Sequence, residues 1–107
     1  MTEREYLEAA EATLRRLETA LEDYEDEIEA ELAAGGVLEL SFADDSKIIV
    51  NKQAAAQEIW VAAKSGGFHY RLIDGAWRDT RSGEELFAAL SRLASAQAGC
   101  PVDERGL

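Results

Sequence analysis

The hydrophobic period of this chain changes near Glu27, and that change narrows the fold more than any other feature. Before it, Tyr6, Ala10, Leu14, Leu17, Leu21 and Tyr24 recur at spacings of four and three, the stripe of an amphipathic helix with one buried face. Glu11, Glu18 and Glu22 fall together on a different, water-facing side at about 100° per residue. No Gly or Pro interrupts residues 1–34, so the helix end near Tyr24 is set by the new period alone. From there the alternation is twofold. In "EIEAEL" Ile28, Ala30 and Leu32 point one way and Glu27, Glu29 and Glu31 the other. "VLELSF", "KIIVNKQ", "EIWVAA" and "FHYRLI" continue the pattern, and a short sixth strand surrounds Trp77. "AAGG", "ADDS", Gly66-Gly67 and the Asp74-Gly75 pair read as the turns between them. These gaps are far too short for the crossover of a dozen or more residues that parallel neighbours require, so the strands must pair as hairpins.

A second helix closes the order. Ser82 and Glu85 have the S-x-x-E spacing of a capping box, Leu86, Phe87, Leu90, Leu93 and Ala94 supply an apolar stripe, and Gly99 and Pro101 mark the end. Helix, strands, helix predicts an α+β fold: a two-layer α-β sandwich, with an antiparallel sheet of about six strands and both terminal helices packed on one face. The other sheet face is left to solvent. Residues 1–107 make one domain, in which about 99–107 form a polar C-terminal tail.

That open face raises a question about Trp60. If Ile59 and Val61 face the core, Trp60 points outward beside Asn51 and Gln53; a slip of one residue would bury it instead. Alternation alone leaves both registers open. Trp77 lacks such polar neighbours and reads as core or rim.

Charge carries the functional signal. Twenty-two acids oppose eleven bases for a net −11, and residues 1–31 alone hold twelve acids against three bases. Such a field repels phosphate backbones and anionic membranes, so neither nucleic acid nor a membrane surface is an expected partner. No apolar run approaches the ~20 residues of a membrane span. "MTEREYLEAAEATLRRLE" lacks the features of a signal or transit peptide, and Cys100 is alone, so a cytoplasmic location is expected. Cys100 has no second thiol for a metal or redox motif.

The acids form an edge: Glu11, Glu18 and Glu22 on the helix, then Asp23, Glu25 and Asp26, then Glu29 and Glu31 on the first strand. Carboxylates without His or Cys make hard oxygen sites that suit Mg²⁺, Ca²⁺, Mn²⁺ or iron rather than zinc. Such ligands are water-rich and individually weak, so several loosely held ions are expected instead of one cage. A solvated acidic face is the plain alternative. Yet like charges ~6 Å apart repel by roughly 0.7 kcal/mol even in water-like surroundings, a cost that mere solubility does not require. Nothing argues for an enzyme: there is one His, and no nucleophile–base set or phosphate-cradling glycine loop. His69 reads as a surface residue, at most an auxiliary metal contact.

Over nearly its whole length the chain resembles a bacterial frataxin, the CyaY family, through "LEDYED", "GGVLELSF", "DDSKIIVNKQ", "QEIWVAAKSGGFHY" and "WRDTRSGEELFAAL". The resemblance implies the frataxin-like sandwich, and binding of Fe²⁺ and Fe³⁺ weakly at several surface sites, where other divalent cations can substitute. It assigns the metal ridge to Glu18, Glu22, Asp23, Glu25, Asp26, Glu29 and Glu31, with Glu11 an extension, and a partner-facing sheet to Asn51, Lys52, Gln53 and an exposed Trp60. It implies an iron-dependent regulator of the cysteine desulfurase and scaffold complex, and an iron donor, in the bacterial cytoplasm. The desulfurase would offer a basic surface to the ridge and the iron–sulfur scaffold protein would meet the sheet. The expected state is a monomer, with iron-induced oligomers a further possibility. Four departures stand out: Thr19 where relatives often add an acid, a short "EDE" link, Ala55 for a frequent Pro, and Glu58 for a frequent Gln, which would make the docking face more acidic. The rival readings are an iron store or ferroxidase acting by oligomerisation, and an acidic interaction domain with no metal role.

Overall fold

The computed structural model describes residues 2–33 and 35–102. Helix α1 spans Glu3–Leu21 and begins at a capping box: Thr2 Oγ1 accepts from the Glu5 N–H at 3.1 Å, and the Thr2 N–H donates to Glu5 at 3.0 Å. Its predicted stripe is buried from Tyr6 to Leu21, and the chain then tightens into a 3-10 turn, Glu22–Tyr24, within the expected end. Strands β1 (Ile28–Ala33), β2 (Val37–Phe42), β3 (Lys47–Gln53), β4 (Glu58–Ala63), β5 (Gly66–Ile73) and β6 (Ala76–Asp79) follow, and helix α2 (Leu86–Ala98) ends the order. The strands pair strictly with their sequence neighbours, every pair antiparallel, giving one six-stranded meander. The two-layer α+β sandwich is therefore as expected.

Alternation assigns the faces. Leu38, Leu40, Phe42, Ile48, Val50, Ile59, Val61 and Tyr70 join the buried helix residues in one core. Burying each large side chain there is worth roughly 1.5–3 kcal/mol. Tyr6 ties the layers together by donating its hydroxyl to the Glu58 carbonyl at 2.7 Å. Trp77 is core: its ring meets Tyr6 edge-on at 6.2 Å, and its Nε1 donates to Thr13 Oγ1 at 2.9 Å.

Three local expectations are corrected. The β4–β5 turn is Lys64-Ser65, since Ala63 pairs with Gly66; Gly66 and Gly67 open β5, where Gly66 has a φ of +146° that few other residues tolerate. Helix α2 starts at Leu86, not near Ser82. Glu85 is its N-cap, accepting from the Phe87 and Ala88 N–H groups at 2.7 and 3.2 Å, while Ser82 Oγ accepts only from Glu84 N. The tail does not leave the domain at residue 99: Val102 is buried, and its N–H donates to Ser95 Oγ at 2.8 Å. Residues 103–107 of the expected tail lie outside the described residues.

Candidate functional site

Two surfaces carry the residues singled out in the sequence. The first runs along the C-terminal end of α1, the 3-10 turn and β1. Glu22, Asp23, Glu25, Asp26, Glu29 and Glu31 are exposed and Glu18 is partly so. The helix has no base in its last turn, so Glu18, Glu22 and Asp23 sit unopposed at the negative end of its dipole. Among the described residues none of these seven carboxylates forms an ion pair within 4.0 Å. Lys47 on β3 pairs with Glu39; that hydrogen bond and charge, with the fields of Glu29 and Glu31, strengthen its hold on its proton. Glu39 is a member that sequence reading missed. The hairpin register sets it directly opposite Glu31, a like-charge pair that costs stability.

Glu11 stands apart from the ridge. It is half-buried two turns away on α1 and pairs with Lys52 Nζ at 3.3 Å. Among the described residues no three His, Cys, Asp or Glu side chains converge as a metal-binding group. The donor set is nevertheless all oxygen and exposed, which suits a hard, hydrated cation held by one or two carboxylates at a time.

The second surface is the sheet face away from the helices. Here Val37, Asn51, Trp60 and His69 form one cross-strand row, and Gln53, Glu58, Arg71 and Arg78 the next. Trp60 lies on this outer face, half-buried, with Ile59 and Val61 beneath it in the core. Its ring stacks on His69 at 4.3 Å between centroids, 8° from parallel. Its Nε1 donates to Glu58 Oε1 at 2.8 Å, and Arg71 Nε donates to Glu58 Oε2 at 2.8 Å. Burial, the largest influence on the Glu58 carboxyl, opposes its ionisation. The hydrogen bonds from Trp60 and Arg71, with the charges of Arg71 and His69, outweigh burial and hold it below the usual carboxylate range. Glu58 therefore does not acidify an open surface as expected; it is covered and its charge is matched.

Lys52 does not belong to this face. Its parity is that of Ile48, Val50 and Ile59, so its stem leaves β3 on the helix side. The stem passes so close under Gly36 that a Cβ there would stand 2.2 Å from Lys52 Cε, and it ends at Glu11 with only 16% of the side chain exposed. Asn51 and Gln53 remain beside Trp60. No helix among the described residues is long and apolar enough to cross a membrane.

Comparisons with known proteins bear on the family and the fold. A family model described as a frataxin-like domain matches residues 1–100. The iron-sulfur cluster assembly protein CyaY of Paraburkholderia xenovorans strain LB400 is 58% identical over 102 residues, covering 95% of this chain and 96% of that one. The solved frataxin of Psychromonas ingrahamii superposes with a TM-score of 0.89 at 28% identity, over 97% of this chain and 98% of its own. A trimeric frataxin of Saccharomyces cerevisiae complexed with ferrous gives 0.75 at 28% identity, over 85% and 86%.

Proposed function

This chain belongs to the frataxin-like family, and from that premise we propose that it is an iron-binding protein of iron–sulfur cluster assembly. It acts on the cysteine desulfurase and scaffold complex as an iron-dependent regulator, and can hand iron on. The observation that carries the reading is the set of seven carboxylates Glu18, Glu22, Asp23, Glu25, Asp26, Glu29 and Glu31, accessible and without ion-pair partners among the described residues. Iron is cargo on this ridge. Exposed carboxylates leave it most of its water shell, so binding is weak, plural and quickly reversed. The same ridge is the surface a basic groove on the desulfurase would seek, and that contact weakens with salt. Iron on the ridge neutralises the charge that the groove reads, which makes the interaction metal-sensitive. Asn51, Gln53 and Trp60 form the scaffold contact, with Trp60 as its aromatic anchor.

The test is an anaerobic Fe²⁺ titration of the whole chain followed by amide NMR, beside desulfurase binding of the triple variant Glu18→Gln, Glu22→Gln, Asp23→Asn. Broadening should concentrate in residues 18–31, and the variant should bind the desulfurase about tenfold more weakly at low salt. Unchanged desulfurase binding would remove the ridge from the interface. Titration without localised broadening favours the acidic interaction domain with no metal role. When oxygen is then admitted to the iron-loaded sample, its consumption with many turnovers per chain favours the ferroxidase.

A further inference from the structure

One carboxylate on the outer sheet face is out of keeping with its position. Glu58 has the parity of Trp60 and Ala62, so its side chain leaves the sheet on the solvent side, yet only 8% of it is exposed. Three neighbours cover it. Trp60 Nε1 and Arg71 Nε each donate to it at 2.8 Å, one to each oxygen, and His69 Nδ1 lies 3.8 Å from Oε1. The same His69 ring lies flat against the indole. The indole is thus held twice, by its N–H end and by one of its faces.

We infer that Glu58 is a positioning residue for docking on this face: it turns the Trp60 N–H inward, so that a partner meets a bare carbon face of the indole and must supply an apolar side chain there, not a hydrogen-bond acceptor. The inference rests on the reading of Trp60 as the scaffold anchor. A side chain already fixed by the free protein has little rotamer freedom left to lose on binding, so holding the ring raises affinity without adding a contact. Asn51 and Gln53 flank it on the same face; Asn51 Nδ2 donates to the Lys52 carbonyl at 3.3 Å, which leaves its side-chain oxygen for a polar group beside the apolar one. Arg71 is 61% exposed, so replacing Glu58 strands no buried charge, and its removal should leave the fold intact.

The experiment uses the whole chain with ¹⁵N-labelled tryptophan. In the native protein the Trp60 indole N–H should exchange slowly with water. Glu58→Gln, which keeps an acceptor oxygen, should preserve that protection; Glu58→Met and Glu58→Ala should lose it, while the Trp77 indole bound to Thr13 stays unchanged as the monitor of folding. Affinity for the purified scaffold protein should fall about tenfold in the Met and Ala variants, through faster dissociation, and recover in the Gln variant. Unaltered Trp60 exchange in Met and Ala overturns the inference, as does native affinity with a released indole. Trp60→Ala, which removes the ring altogether, separates the two levels: if it binds the scaffold like the native chain, the docking reading itself falls, whereas if it binds weakly and Glu58→Met does not, only the positioning role is lost.

Discussion

A lysine on a sheet can send its amine to water from either face, and the choice decides what it can touch. For Lys52 the choice is made by parity and by Gly36. The flanking core residues Val50 and Ile59 commit the stem to the helix layer, and the missing side chain at Gly36 leaves it a channel. The amine then reaches Glu11 across the groove between α1 and the β1–β2 turn. Lys52 is therefore a brace, and Glu11, its counter-charge, stands apart from the ridge. Lys52→Met keeps the apolar stem and removes the charge, so scaffold affinity should stay within about twofold of native. Gln53→Ala, on the outer face, should weaken it several-fold. Parallel titrations of the two variants by calorimetry check the assignment, and a Lys52→Met loss as large as that of Gln53→Ala would return the lysine to the docking face. The family pattern grouped "NKQ" on one surface, but a contiguous triplet in a strand cannot share a face, and that pattern masked the elementary parity.

Helix α2 shows how an element's boundary escapes a motif. Ser82 and Glu85 have the capping-box spacing, but Asp79 captures the local backbone first: its carboxylate accepts from Arg81 N at 2.8 Å and Ser82 N at 3.4 Å, extending a turn through Gly83. Glu85 is then the first residue free to cap, and its carboxylate takes two of the orphan N–H groups. Glu85→Ala should cost about 1 kcal/mol and Ser82→Ala less than about 0.5 kcal/mol in denaturant unfolding; equal costs would restore the box. The elements that were read correctly share a physical reason. Stripes at period 3.6 and alternation at period 2 report burial directly, and Asp74-Gly75, with φ of 51° and 83°, carries the two positive values a tight hairpin demands. What stayed hidden depends on register between strands. The Trp60–His69 stack, the Glu58 clasp and the Glu31–Glu39 opposition each join residues whose adjacency exists only once β-pairing is known.

At the scale of the whole molecule, the ridge is a departure from the arrangement that stability would favour. Acids at the C-terminal end of α1 oppose the helix dipole, Glu18 and Glu22 are like charges at i,i+4, and each such feature costs a few tenths of a kcal/mol or more. Removing three charges should therefore gain about 1 kcal/mol at low ionic strength, which for a domain of this size raises Tm by roughly 4–6 °C. The gain is electrostatic and exposed, so it should shrink as the Debye length falls to about 8 Å near physiological salt, and the native chain should close most of the gap in 0.5 M NaCl. Calorimetric melting of native chain and triple variant across a salt series measures this. A variant no more stable than the native chain at low salt would mean the carboxylates are already compensated, and the ridge would then be ordinary surface. A stabilised variant that has also lost desulfurase binding gives the other result: a fold that keeps its acids together against its own stability, because the groove and the metal that meet them require the uncompensated charge.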